Sequence, residues 1–173
     1  MGEQLRWMLA HSDNTLADQY CRFAARAAGA PATYEGATST VASTLSAAGV
    51  PTEGLFLEDC SGLSSNDRIS ANTLVGVLKA SYSGQGTSAD TMRLLPWAGL
   101  VGTLSKRMTE EPAVGNVQAK TGALAEVSSL SGSVITRGGR VLLVSIGHDR
   151  VTAGALATRG RLDAFEEGLA GLN

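Results

Sequence analysis

The chain has 173 residues, of which 43% are hydrophobic and 17% charged: enough apolar material for one folded domain, too little length for two full-sized ones. Lys+Arg number 14 against Asp+Glu 16, so a net charge of −2 supplies no basic field for nucleic acid, and 5% aromatic residues argue against a base-stacking platform. No apolar run approaches the roughly 20 residues of a membrane span, and MGEQLRWMLAHSDN carries charge where a secretory signal has its apolar core.

From the N-terminus, Glu3 to His11 predicts a helix with Leu5, Met8 and Leu9 on one face. Ser12-Asp13-Asn14-Thr15 interrupts it with four cap- and turn-forming residues. A second helix runs from Leu16 to Ala28, with Leu16, Tyr20, Phe23, Ala24 and Ala27 as its apolar stripe, and Gly29 and Pro31 stop it. A third spans Tyr34 to Ala48, with Val41, Leu45 and Ala48 inward, and leaves through Gly49-Val50-Pro51. Gly54 to Glu58 predicts a short strand, and Asp59 to Arg68 a loop. Ser70 caps a helix from Ala71 to Ala80. Residues 83–90, SGQGTSAD, predict another loop, a short helix precedes Pro96, and Gly99 to Met108 adds a turn or two.

The last third alternates β-branched and small residues. Val114 to Lys120, Val127 to Thr136 and Arg140 to His148 predict three antiparallel strands, with Arg137-Gly138-Gly139-Arg140 as a hairpin turn. Arg161 to Leu172 closes the chain as a helix with Leu162, Phe165, Leu169 and Leu172 on one face. The class is α+β: a helical portion over about 3–110, then a sheet and terminal helix over about 113–172.

Most reactive arrangements are missing. Cys21 and Cys60, 39 residues apart, fit no zinc spacing, and nothing in the order of His11 and His148 adds to them, so neither metal nor cofactor is expected. Two free thiols and a disulfide are both open. There is no G-x-S-x-G and no phosphate loop. His11, Ser12 and Asp13 are sequence neighbours, which point apart on a helix and so make no triad.

Two short motifs remain. Ser12-Asp13-Asn14 offers a hydroxyl that can pass a proton and an amide that can hold a carbonyl, although by itself it is a weak signal that reads first as a helix cap. Lys120-Thr121-Gly122, 108 residues later, puts a cation, a hydroxyl and a bare backbone in sequence, a good edge for a carboxylate. Serine acyl-transfer sites of the penicillin-interacting kind use S-x-x-K, S-x-N and K-T-G in this order.

The stretches LRWMLAHSDNTLADQ, LEDCSGLSSNDRIS and NVQAKTGAL, followed by the hairpin sheet and last helix, together resemble the C-terminal part of a D-alanyl-D-alanine carboxypeptidase of the penicillin-binding protein 4 (peptidase S13) family. The resemblance covers nearly the whole chain. It implies part of a transpeptidase-like fold in which a site lies between helices and an antiparallel sheet. The implied activity is serine-type removal of the terminal D-Ala from peptidoglycan stem peptides, in some members cleavage of cross-links, with β-lactams as acylating inhibitors. It further implies that Ser12 relays a proton, that Asn14 holds the acyl-side amide, and that Lys120 and Thr121 bind the carboxylate beside Gly122. The Ala123 N–H would form half of an oxyanion hole, and Leu63 would line the groove. An exported parent, periplasmic or at the cell wall, follows from the substrate.

Three departures stand out. Ala123 replaces a hydroxyl residue, Cys60 replaces a loop glycine, and no S-x-x-K exists: Gly76, Thr103 and Val117 precede Lys79, Lys106 and Lys120 by three. The expectation is therefore a fragment that lacks its nucleophile and is inactive alone, the alternative being a non-catalytic module that binds peptidoglycan or a protein. Without an N-terminal segment one sheet face would be bare and one strand edge unpaired, so self-association or retention of that segment as a partner is expected.

Overall fold

The computed structural model describes residues 2–84 and 91–173. Most of the loop expected over 83–90 lies outside them. The described residues form helices α1 (Gly2–His11), α2 (Asn14–Ala27), α3 (Tyr34–Ala47), α4 (Ala71–Tyr82), α5 (Thr91–Leu94) and α6 (Ala155–Ala170). Strands β1 (Val117–Ala123), β2 (Ser128–Ile135) and β3 (Val141–His148) make one antiparallel sheet in the order β1-β2-β3. The class is α+β, as the order of elements predicted.

Register fixes two dissimilar sheet faces. Val117–Val134–Leu142, Ala119–Gly132–Val144 and Thr121–Leu130–Ile146 are cross-strand rows on one face. With Leu104, Met108, Leu162 and Ala170 they form the main core, under α6. The opposite face carries the rows Gln118–Ser133–Leu143, Lys120–Ser131–Ser145 and Gly122–Ser129–Gly147. Its Leu143 end is covered by Leu78 of α4, Met92 of α5, Leu95 and Leu9. The face expected to be bare is thus covered at Leu143, and beyond it the rows turn small and polar, half-buried as far as Ser129 and exposed at Gly147. Pro96 to Ala98 runs beside the start of β1, with Ala98 N–H donating to Val117 O and Ala119 N–H to Pro96 O, both at 2.9 Å. β3 has no strand along its outer edge among the described residues.

Several local expectations change. The strand over Gly54 to Glu58 reduces to a single bridge between Phe56 and Arg68. α6 begins at Ala155, six residues before Arg161, behind Gly154 at φ +84°. On α2 the buried positions are Cys21 and Ala25, not the predicted stripe, and Phe23 is 61% exposed. The reason is covalent: Cys21 is bonded to Cys60, so α2 turns its cysteine face, with Ala25, onto Ala37 and Val41 of α3 and the following loop. The open choice between thiols and a disulfide therefore resolves to the disulfide.

One core group opposes burial. Glu166 on α6 is 1% exposed, and neither carboxylate oxygen meets a hydrogen-bond donor among the described residues. Burial, and then the Asp163 carboxylate beside it, push Glu166 up to about 7. An acid raised in the folded state binds more protons folded than unfolded. Its favourable linkage is complete below pH 4.5 and is lost as pH climbs through about 7. At about 1.4 kcal/mol per pH unit the full loss is on the order of 3 kcal/mol. Glu166→Gln should flatten the melting-temperature profile over that window and raise stability at pH 8 by about 1 kcal/mol or more. Parallel profiles for variant and wild type would show that the carboxylate is not desolvated.

Candidate active site

The site starts with a helix ending. Asp13 N–H donates to Met8 O at 3.0 Å, closing α1 across Ser12. Ser12 sits at φ +55°, the left-handed position of a Schellman turn, where glycine is usual. A side chain there costs about 1 kcal/mol, so a hydroxyl at this point is held against backbone preference. Asp13 then caps α2: its carboxylate accepts from Leu16 N–H at 3.0 Å. The cap reading of this motif therefore belongs to Asp13, which leaves Ser12 and Asn14 free for other work. Asn14 opens α2, and no hydrogen bond engages its amide within the described residues.

Lys120 comes from the middle of β1, not from a strand end as its sequence context suggested. Its Nζ donates to Ser12 Oγ at 2.7 Å and to Thr121 O at 2.7 Å. Residues 108 positions apart thus meet directly. Burial pulls the amine down to about 8, and no carboxylate pairs with it among the described residues. A lysine titrating there is partly neutral at mildly alkaline pH and can exchange a proton with the hydroxyl it touches. When charged, it is a buried cation without a counter-ion, which favours an anionic ligand beside it.

The rest of the motif is divided between the two faces. Thr121 shares the core-side face, where its hydroxyl donates to Thr103 Oγ1 at 3.0 Å. Gly122 lies opposite Ser129, whose Oγ occupies the space a Cβ at 122 would take. Ala123 ends β1, exposed and paired with Ser128. Leu63, 58% exposed, lines a shallow cavity with Asp18, Tyr34 and Asp59. The structure therefore joins Ser12 and Lys120 directly, whereas Asn14, Thr121, Gly122 and Ala123 are their neighbours in sequence and Leu63 has no hydrogen bond to the pair among the described residues. Thr103 and Ser129 were missed by sequence reasoning, because neither belongs to a motif and both are recognised only by their spatial partners. Among the described residues no three His, Cys, Asp or Glu side chains converge as a metal site.

Comparison with known proteins identifies the family and the fold. The model of the D-Ala-D-Ala carboxypeptidase 3 (S13) family matches residues 1–169. The chain is 40% identical over 149 residues to carboxypeptidase DacB of Mycolicibacterium smegmatis, covering 83% of this chain and 32% of that protein. It is 32% identical over 171 residues to D-alanyl-D-alanine carboxypeptidase DacB of Haemophilus influenzae, covering 95% of this chain and 36% of the relative. The crystal structure of penicillin binding protein 4 (dacB) from Haemophilus influenzae superposes with a TM-score of 0.85 at 31% identity, over 96% of this chain and 38% of that one. The chain spans about a third of the length of the curated relatives it matches.

Proposed function

The chain belongs to the D-Ala-D-Ala carboxypeptidase 3 (S13) family, and from that premise we propose that it forms one wall of a serine-type D-Ala-D-Ala carboxypeptidase site acting on peptidoglycan stem peptides. In this reading the 173 residues are the C-terminal part of one transpeptidase-like domain. The observation that carries it is the 2.7 Å contact between Ser12 and Lys120. The peptide's terminal carboxylate lies against the Lys120 amine and the main chain at Gly122, while Thr121, facing the core side with its hydroxyl on Thr103, supports the strand from behind. Asn14 receives the acyl-side amide. Ser12 passes a proton between Lys120 and the leaving amine, and the Ala123 N–H faces the developing oxyanion. The attacking serine and its lysine come from outside these residues, since the chain contains no S-x-x-K.

β-Lactams enter as mimics of the same peptide terminus, in line with the Haemophilus influenzae penicillin binding protein 4 solved with a β-lactam. Cleavage of cross-links as well as terminal residues is part of the proposal. Export to the periplasm or cell wall fits both the substrate and the Cys21–Cys60 bond, which persists in oxidising compartments. No helix among the described residues is long and apolar enough to cross a membrane.

The missing S-x-x-K favours one other reading: a non-catalytic module that binds stem peptides, or a protein partner, through the same pocket. The coding sequence immediately upstream separates the two, because an in-frame S-x-x-K assigns the enzyme. The shared claim is tested directly. Titrating N-acetyl-D-Ala-D-Ala into the labelled chain should shift amide resonances at Ser12, Asn14 and residues 120–123, whereas a fluorescent penicillin should not label the chain stoichiometrically. Absence of those shifts at millimolar peptide would remove the peptide-site assignment.

A further inference from the structure

Ser12 ends α1 and Lys120 lies on β1, so their contact depends on how far α1 stands from β1. The 3-10 turn Gly102–Leu104 packs against both elements. Leu104 is fully buried in the main core beside Val117 and Ala119, which fixes the turn to the sheet. Gly102, at φ +61°, abuts α1 so closely that a Cβ there would overlap the main chain of Ala10, itself buried two residues before Ser12. Thr103 Oγ1 accepts from Thr121 Oγ1 at 3.0 Å, one residue beyond Lys120. Every residue of the turn is thus committed to one side of the gap.

We propose that Gly102 and Thr103 are positioning residues, a spacer that holds Ser12 against Lys120. Gly102 sets the serine side by main-chain contact with Ala10. Thr103 sets the lysine side through Thr121. Only glycine serves at the first position: the backbone is left-handed there, and the space a side chain would need is filled by a carbonyl. A hydroxyl serves at the second because it can accept from Thr121. The inference deepens the proposed peptide site and rests on that reading for its consequence, but its geometry can be tested without any ligand.

The experiment is competitive acetylation of lysine amines by limiting acetic anhydride across a pH series, read peptide by peptide by mass spectrometry. The exposed Lys79 and Lys106 serve as internal references. In the wild type Lys120 should titrate at about 8. Gly102→Ala forces α1 away, and water replaces Ser12 at the amine. The hydrogen bond lost is remade by solvent while the desolvation is relieved, so the Lys120 midpoint should rise by about one pH unit or more. Thr103→Val should move it in the same direction, and Thr103→Ser should restore the wild-type midpoint. A turn that merely stabilises the fold would lower melting temperatures and leave the midpoint in place. An unmoved midpoint in Thr103→Val and Gly102→Ala overturns the spacer. If Gly102→Ala does not fold, the Val and Ser pair at 103 decides alone. Failure of wild-type peptide binding with a shifted midpoint removes the functional reading and keeps the spacer; peptide binding with an unmoved midpoint does the reverse.

Discussion

Lys120→Met should weaken binding of N-acetyl-D-Ala-D-Ala by about 10- to 100-fold, the worth of a lost charge-assisted hydrogen bond of about 1.5–3 kcal/mol, and should leave the protein at least as stable at pH 7. The two halves of the expectation have one cause. Burial holds the Lys120 amine at about 8 in the folded protein against 10.5 for a free lysine. A base lowered in this way binds fewer protons folded than unfolded, so it opposes folding fully below about pH 8 and stops opposing it as pH rises through 10.5. Removing the amine removes that opposition, worth up to about 3 kcal/mol less what the hydrogen bonds to Ser12 and Thr121 O return. Methionine keeps most of the side-chain volume, so no large cavity opens. Urea unfolding at pH 7 and again at pH 9.5 measures the stability half: the wild type should gain on the variant as pH rises. Undiminished peptide binding would end the case for Lys120 as the carboxylate anchor. A stability loss above about 1 kcal/mol at pH 7 would recast it as a structural residue.

The pairing of Ser12 with Lys120 was legible because motif order and spacing survive in one dimension: hydroxyl–x–amide at a helix break, cation–hydroxyl–glycine in a strand. What holds the pair was not. The left-handed backbone at Ser12 arises from the way α1 hands over to α2, and nothing in Ser-Asp-Asn distinguishes a serine in that turn from a serine capping the next helix. Helix existence was legible from punctuation, since Asp13, Ser70, Gly29 and Gly49 mark ends by local chemistry. Helix orientation was harder. On α2 the longest apolar stripe, with Phe23, faces outward because a covalent bond to Cys60 decides which side is buried. The start of α6 was hidden because its cap position holds Gly154, which has no capping side chain. The brief strand near Phe56 failed for the usual tertiary reason: β-favouring residues form a ladder only where a neighbour runs alongside, and among the described residues only Arg68 pairs with it.

The disulfide carries the second large expectation. Cys21 and Cys60 close a loop spanning 39 positions, which restrains the unfolded chain by about 4 kcal/mol in the chain-entropy account. Replacing both cysteines with serine should cost about 2–4 kcal/mol in urea unfolding, and reduction of the wild type should cost a similar amount. The loss should be felt first in the 59–64 loop, which is otherwise fastened by carboxylates. Asp59 accepts from the N–H groups of Ser61 at 2.9 Å and Ser64 at 2.7 Å as well as from Gly62, and Cys60 N–H donates to Asp18 at 3.1 Å. Burial alone would raise Asp59, but these hydrogen bonds together outweigh it and lower the group below its usual range. A lowered acid contributes stability above its unfolded value, 3.8, and loses it as pH falls through the lower folded one. The loop of the double variant should therefore exchange its amide protons faster than wild type at neutral pH and open further in acid, with β1 amides unaffected. A cost below about 0.5 kcal/mol with unchanged exchange at Ser61, Gly62 and Ser64 would show that the Asp59 network holds the loop by itself, and that the covalent link to α2 adds nothing to its order.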